Sequence, residues 1–154
     1  MKNQQASGFS KLVVALCLGV VGMAAQALEL RGFRGVAWGD DASSLGTAKL
    51  VHSQGELRCY RRERENMMFG DSQLKDVRYC FQQDRLFLVM IEADAAREDM
   101  VAEFKRTYGP PSQQSPAMVS WGGKSAGTHV EMLSAPGGRH TLLRIYSKDH
   151  APLH

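Results

Sequence analysis

Aromatic side chains are scarce in this sequence, 8% of 154 residues, and neither sign of charge dominates, the formal net charge being +3. A nucleic-acid binder built on a basic patch is therefore not expected. Long apolar runs are missing too. The longest, Leu12 to Ala25, falls short of the roughly 20 residues that a membrane-spanning helix needs. There is no C-x-x-C pair and no G-x-x-x-x-G-K phosphate loop, so the usual marks of a thiol redox site and a P-loop nucleotide site are absent. What is present, 44% hydrophobic and 23% charged residues with 15 Gly and 5 Pro, is the composition of an ordinary folded domain.

Residues 1–27 read as a secretory signal peptide. Lys2 and Lys11 precede the apolar run, and Ala25-Gln26-Ala27 places small residues at the −3 and −1 positions of a cleavage site after Ala27. Cys17 follows Leu16 rather than the small residue of a lipoprotein signal, so no membrane anchor is expected after cleavage. Loss of Lys2 and Lys11 leaves acidic and basic residues almost balanced, which points to no nucleic acid and no anionic membrane as partner. Residues 28–154 suffice for one core, with 148–154 expected as a frayed tail.

Cys59 and Cys80 then remain, in a chain bound for an oxidising compartment. Two cysteines there read as one structural disulfide. No nearby His supports a metal pair, and the wide spacing argues against a redox couple.

Hydrophobic periodicity lays out the rest. Gly32 to Trp38 reads as a strand, followed by a short helix or turn capped by Asp40 or Asp41. Short strands are expected at Lys49–His52 and Glu56–Glu63, and a loop over Arg64–Lys75. Asp76–Gln82 alternates with Val77, Tyr79 and Phe81 on one face. After a Gln83-Asp84 turn, Arg85–Glu92 carries an unbroken apolar run typical of a strand buried on both faces. Asp94–Tyr108 is the one principal helix, capped by Asp94, with Met100, Val101, Phe104 and Tyr108 on a stripe and Gly109-Pro110-Pro111 ending it. A polar link over Ser112–Pro116 leads to strands at Ala117–Trp121, Thr128–Ser134 and His140–Ser147. The fold class is α+β: an antiparallel sheet with one helix packed on one face. Strand parity puts the disulfide on the other, more polar face, where it supplies part of the missing cover, and puts Tyr60 with the helix-facing core.

Several short motifs occur together: Phe33-Arg34-Gly35-Val36-Ala37-Trp38-Gly39, the hairpin Val77 to Phe81 with Asp84-Arg85-Leu86, Tyr108-Gly109-Pro110-Pro111, and Trp121-Gly122. In this combination the chain resembles a group of small secreted bacterial proteins of uncharacterised function that open on F-x-G-aliphatic-x-W-G. The resemblance implies a Gram-negative periplasmic α+β domain and carries over no functional residues. Val36-Ala37-Trp38-Gly39 and Val119-Ser120-Trp121-Gly122 also echo each other, which raises the idea of a duplicated half-fold.

Constellations that could carry chemistry are few. His129 and Glu131 share a strand face, but a turn centred on Pro136-Gly137 would pair 129 with 144 and keep His140 distant, so no metal site is expected. Asp40-Asp41 point in different directions and serve better as a cap than as a glycosidase pair. Gly122-Gly123-Lys124-Ser125 lacks the phosphate-loop spacing, and no nucleophile elbow is read. No catalytic residues and no cofactor are therefore assigned. Arg58, Arg61, Arg62 and Arg64 interleave with Glu56, Glu63 and Glu65 around Tyr60. Tyr60, Arg61 and Arg62, with the neighbouring Met67, Met68 and Phe69, are the residues read as candidate binding contacts.

The expectation is a secreted, non-catalytic module that binds a protein or another envelope component. The alternative is a small apolar-ligand carrier, or a hydrolase, using the uncovered sheet face. Protein purified from the periplasm should have the intact mass of a chain starting at Leu28, with no thiol that alkylates before reduction. Two free thiols would contradict both the compartment and the strand pairing.

Overall fold

The computed structural model describes residues 30–122 and 127–150. The expected signal peptide and its cleavage site, and residues 151–154, lie outside these. The opening Gly32–Trp38 segment is not one strand but a tight hairpin, with arms β1 (Gly32–Phe33) and β2 (Val36–Ala37). Arg34 and Gly35 at its tip both have positive φ, 48° and 82°, the backbone of a two-residue type I′ turn. That requirement explains the glycine of the opening motif. Asp41 then caps a 3-10 turn, Ala42–Leu45, by accepting from the Ser43 amide.

The remaining strands build one sheet: β3 (Ala48–Gln54), β4 (Leu57–Arg62), β5 (Met68–Phe69), β6 (Ser72–Gln82), β7 (Arg85–Ala93), β8 (Gln113–Gln114), β9 (Met118–Trp121), β10 (Thr128–Ser134) and β11 (Thr141–Ser147). Their spatial order is β3-β4-β6-β7-β11-β10-β9-β8, with β5 paired only to β6, and every pairing is antiparallel. Two meanders thus meet at the β7–β11 pair, and the helix α1 (Arg97–Tyr108) connects them. The α+β class read from the sequence is what the chain adopts.

Local boundaries depart from expectation where tertiary contacts outweigh propensity. The 64–75 loop contains β5 and the first residues of β6, because Met68 and Phe69 pair with Gln73 and Ser72. The 112–116 link includes β8, which pairs with β9. Asp94 does not cap the helix. Its amide donates to the Gln73 carbonyl, and the Ala95 carbonyl accepts from Thr141 Oγ1. The chain therefore stays tied to the sheet until Ala96, which caps α1 without a side-chain bond. In the last hairpin Leu133 faces Leu142 and His129 faces Tyr146, two residues from the expected register, because residues 135–140 form a wider turn closed by Ala135 N–H to the His140 carbonyl.

Among the described residues the main core lies between the sheet and the elements on its α1 side. Met100, Val101 and Phe104 of α1, with Phe33, Val36 and Leu45 of the N-terminal segment, pack on Tyr79, Val89, Ile91, Trp121, Val130, Leu143 and Ile145. Phe104 centres an aromatic group, its ring 4.7 Å from Trp121, 4.4 Å from Tyr108 and stacked on Phe69 at 5.7 Å. The two Val-x-Trp-Gly echoes behave alike locally. Each valine is buried, and each indole N–H donates to a carbonyl, Trp38 to Leu30 and Trp121 to Gly109. Each glycine has positive φ, and a Cβ on Gly122 would stand 2.3 Å from the Thr128 oxygen. However, β2 precedes the first meander whereas β9 sits inside the second, so the echo does not mark equivalent places.

Cys59 and Cys80 are directly opposed on β4 and β6 and form the disulfide. On the far side of the sheet from α1 they gather Phe87 and parts of Val51, Leu57, Leu88 and Met90 into a second, smaller cluster. Tyr60 packs instead towards the main core, edge-on to Phe81. The bond spans 21 residues, so the chain-entropy argument assigns it about 3 kcal/mol. Replacing both cysteines with alanine should lower unfolding stability by that order in denaturant titration.

Candidate ligand-binding face

On the side away from α1, strand register arranges the side chains in cross-strand rows. Cys59, Cys80, Leu88, Tyr146 and His129 make one row. Arg78, Met90, Arg144, Glu131 and Ser120 make the next, and Asp76, Glu92, Leu142, Leu133 and Met118 a third. The disulfide cluster covers part of the first row. Between the second and third lies a groove of about 430 Å³, lined by Arg78, Met90, Glu92, Leu133, Leu142 and Arg144, with Asp76 at its edge. Leu142 is 39% exposed there. A volume of this size falls within the usual range of small-ligand sites.

Charged groups flank the groove in pairs. Arg61 grips Asp76 with Nε and Nη2, at 2.6 and 3.0 Å, while Arg78 Nε reaches the same carboxylate at 2.5 Å. Burial alone would raise the Asp76 pKa, but the hydrogen bonds and charge of these two guanidiniums outweigh it and hold the carboxyl below its usual range. At the other end Arg144 pairs with Glu131 at 3.0 Å, and Tyr146 donates to Glu131 at 3.2 Å. Burial, then the Glu131 charge, pushes the Tyr146 hydroxyl upward.

The residues proposed from sequence as binding contacts do not converge. Arg61 stands on the groove side through Asp76. Tyr60, Met67 and Phe69 pack against the main core, and Met68, next to Phe69 on β5, is exposed. Arg62 lies over the Tyr79 ring, its guanidinium carbon 5.1 Å from the centroid. It joins a network in which Arg34 pairs with Glu65 at 2.6 Å, Tyr79 donates to Glu65 at 2.7 Å, and Arg34 also donates to the Met68 carbonyl. The Glu65 side chain is only 6% exposed. Burial, then the bond to Glu65, raises the Tyr79 pKa far above its ordinary value, so this phenol is a fixed donor rather than a reactive group. The network clamps the N-terminal hairpin to the β4–β5 connection.

His129, Glu131 and His140 do not form a site. His129 rests beside Tyr146, and His140 Nδ1 lies 3.1 Å from Asp94 Oδ1, with Lys75 Nζ 3.1 Å from its Nε2. Among the described residues no cluster of three or more His, Cys, Asp or Glu could hold a metal ion. The letters G-x-S-x-G occur at Gly123 to Gly127. They connect two antiparallel strands, β9 and β10, not the strand and helix of a nucleophile elbow, and residues 123–126 lie outside the described structure. The groove itself was legible in principle from the two-faced apolar run of β7. What the sequence did not reveal is the register that sets Arg78 and Arg144 on either side of Met90.

No protein-family model matches the chain, and neither a curated protein nor a solved structure shows significant similarity to it.

The Asp76 carboxylate has a definite pH signature. Its pKa is depressed in the folded state, so its stabilisation is complete above the unfolded value of about 4 and is lost as pH falls through the folded one. The stability difference between wild type and Asp76→Asn should therefore be constant near neutrality and shrink below about pH 4, as read by urea titrations at several pH values. An unchanged difference down to pH 2 would contradict the assignment.

Proposed function

We propose that this chain is a secreted, non-catalytic binding module, and that it engages its ligand with the sheet face opposite α1. The observation that carries this reading is the groove over Met90, Leu133 and Leu142, an apolar floor left uncovered in the middle of the sheet. Folded monomers rarely leave such surface open without a use for it. The sheet edges offer less. β8 has two residues, while β3 carries Lys49 and a bulge at Val51, devices that discourage pairing with another strand. A small apolar or amphipathic ligand suits the groove better than the broad contact of Tyr60, Arg62 and Met67–Phe69, whose side chains serve mainly the core and the Glu65 network.

The disulfide fits a periplasmic or other oxidising location. Among the described residues no helix is long and apolar enough to cross a membrane. The resemblance to small Gram-negative secreted proteins agrees with the same placement.

The neutral dye Nile red probes the face directly. It should bind one molecule per chain with enhanced emission, and Leu142→Lys should weaken that binding about tenfold, roughly the effect of 1.4 kcal/mol. Leu50→Lys, at an exposed position opposite Tyr60 on the helix side, should leave it unchanged. Equal loss in both variants, or in Leu50→Lys alone, would contradict the assignment.

A further inference from the structure

The groove is apolar in its floor but carries unmatched charge of both signs. Glu92 is half-buried at its edge and makes no hydrogen bond or ion pair among the described residues. Arg78 uses only Nε on Asp76, and Arg144 uses one terminal nitrogen on Glu131, so each guanidinium keeps further N–H groups for a ligand. Both arginines lie opposite Met90, and Glu92 follows Met90 by two positions on the same face of β7. Glu92 is therefore the diagonal neighbour of both, about 7–8 Å away between Cα atoms. One carboxylate and two guanidiniums thus border a single apolar floor of Met90, Leu133 and Leu142.

We infer that the groove binds a short apolar peptide with free termini, a dipeptide being the best fit. The ammonium group pairs with Glu92, the terminal carboxylate sits between Arg78 and Arg144, and the side chains cover the Met90–Leu142 floor. An extended dipeptide spans about 7 Å, of the same order as the backbone diagonal between these positions. A simple fatty acid would leave Glu92 unpartnered beside its own negative charge, and an apolar amine would leave both arginines unused. This assignment rests on the open-face reading above and narrows it to one ligand class.

Displacement of Nile red from the disulfide-intact protein tests it, with leucyl-leucine, N-acetyl-leucyl-leucine and leucyl-leucinamide as competitors. Leucyl-leucine should compete best, and each blocked form about tenfold less well, the loss expected when one charge-assisted contact is removed. Glu92→Gln should weaken leucyl-leucine to the level of its acetylated form without changing the latter. Arg144→Gln should do the same with respect to the amide. If Nile red binds but the three peptides compete equally, or none competes, the peptide assignment fails while the open face stands. If Nile red does not bind, both fail.

Discussion

The central strand β7 constrains everything else in this fold. Leu86, Val89 and Ile91 face the helix, while Phe87, Leu88 and Met90 face the other way, so the middle of the sheet presents apolar side chains on both sides. Among the described residues one principal helix and one short hairpin are there to cover them, and both lie on the same side. The opposite side receives, among the described residues, the disulfide cluster, which shields the β4–β6 end, reaches the edge of Met90 and stops short of Leu142. An uncovered apolar strip in the centre of a sheet follows from that shortage of covering elements.

The charged residues are arranged around this strip rather than on it. Asp76 is shared by Arg61 and Arg78, and Glu131 pairs with Arg144, so the flanks keep one cationic charge in excess and guanidinium N–H groups without an intramolecular partner among the described residues. On the helix side the Arg34–Glu65–Tyr79 network has a different task. Glu65 is nearly inaccessible, and breaking a buried arrangement of this kind by removing one partner is costly. It fixes the first hairpin against the sheet, and through Trp38, whose indole donates to Thr128 Oγ1 at 2.8 Å, fixes the same hairpin to β10.

Much of the architecture was legible in the sequence because it rests on local signals. Period-two alternation marked Val77, Tyr79 and Phe81. Gln83-Asp84 marked the hairpin that follows, where both residues adopt positive φ, and Gly109 marked the helix end. Parity alone placed the disulfide and Tyr60 on opposite faces. What failed depended on partners distant in sequence. The cap expected at Asp94 was lost to Gln73 and His140, and β5 formed only because β6 lay beside it. The candidate contacts at Tyr60, Arg62, Met67 and Phe69 share one stretch of sequence, but parity and the Glu65 network send their side chains away from Arg61. The groove arises from residues on β6, β7, β10 and β11, and no local pattern records their register.

The claim that the open face is the working surface can be tested without substitutions by following the methionine methyl signals of isotopically labelled protein during titration with leucyl-leucine. Met90 lies in the groove floor, Met100 and Met132 are in the main core, and Met67 packs against that core from the helix side. Saturable shifts at Met90, with Met100, Met132 and Met67 unmoved, are the predicted result. Shifts at Met67 with a silent Met90 would place binding on the other side of the molecule and contradict the account.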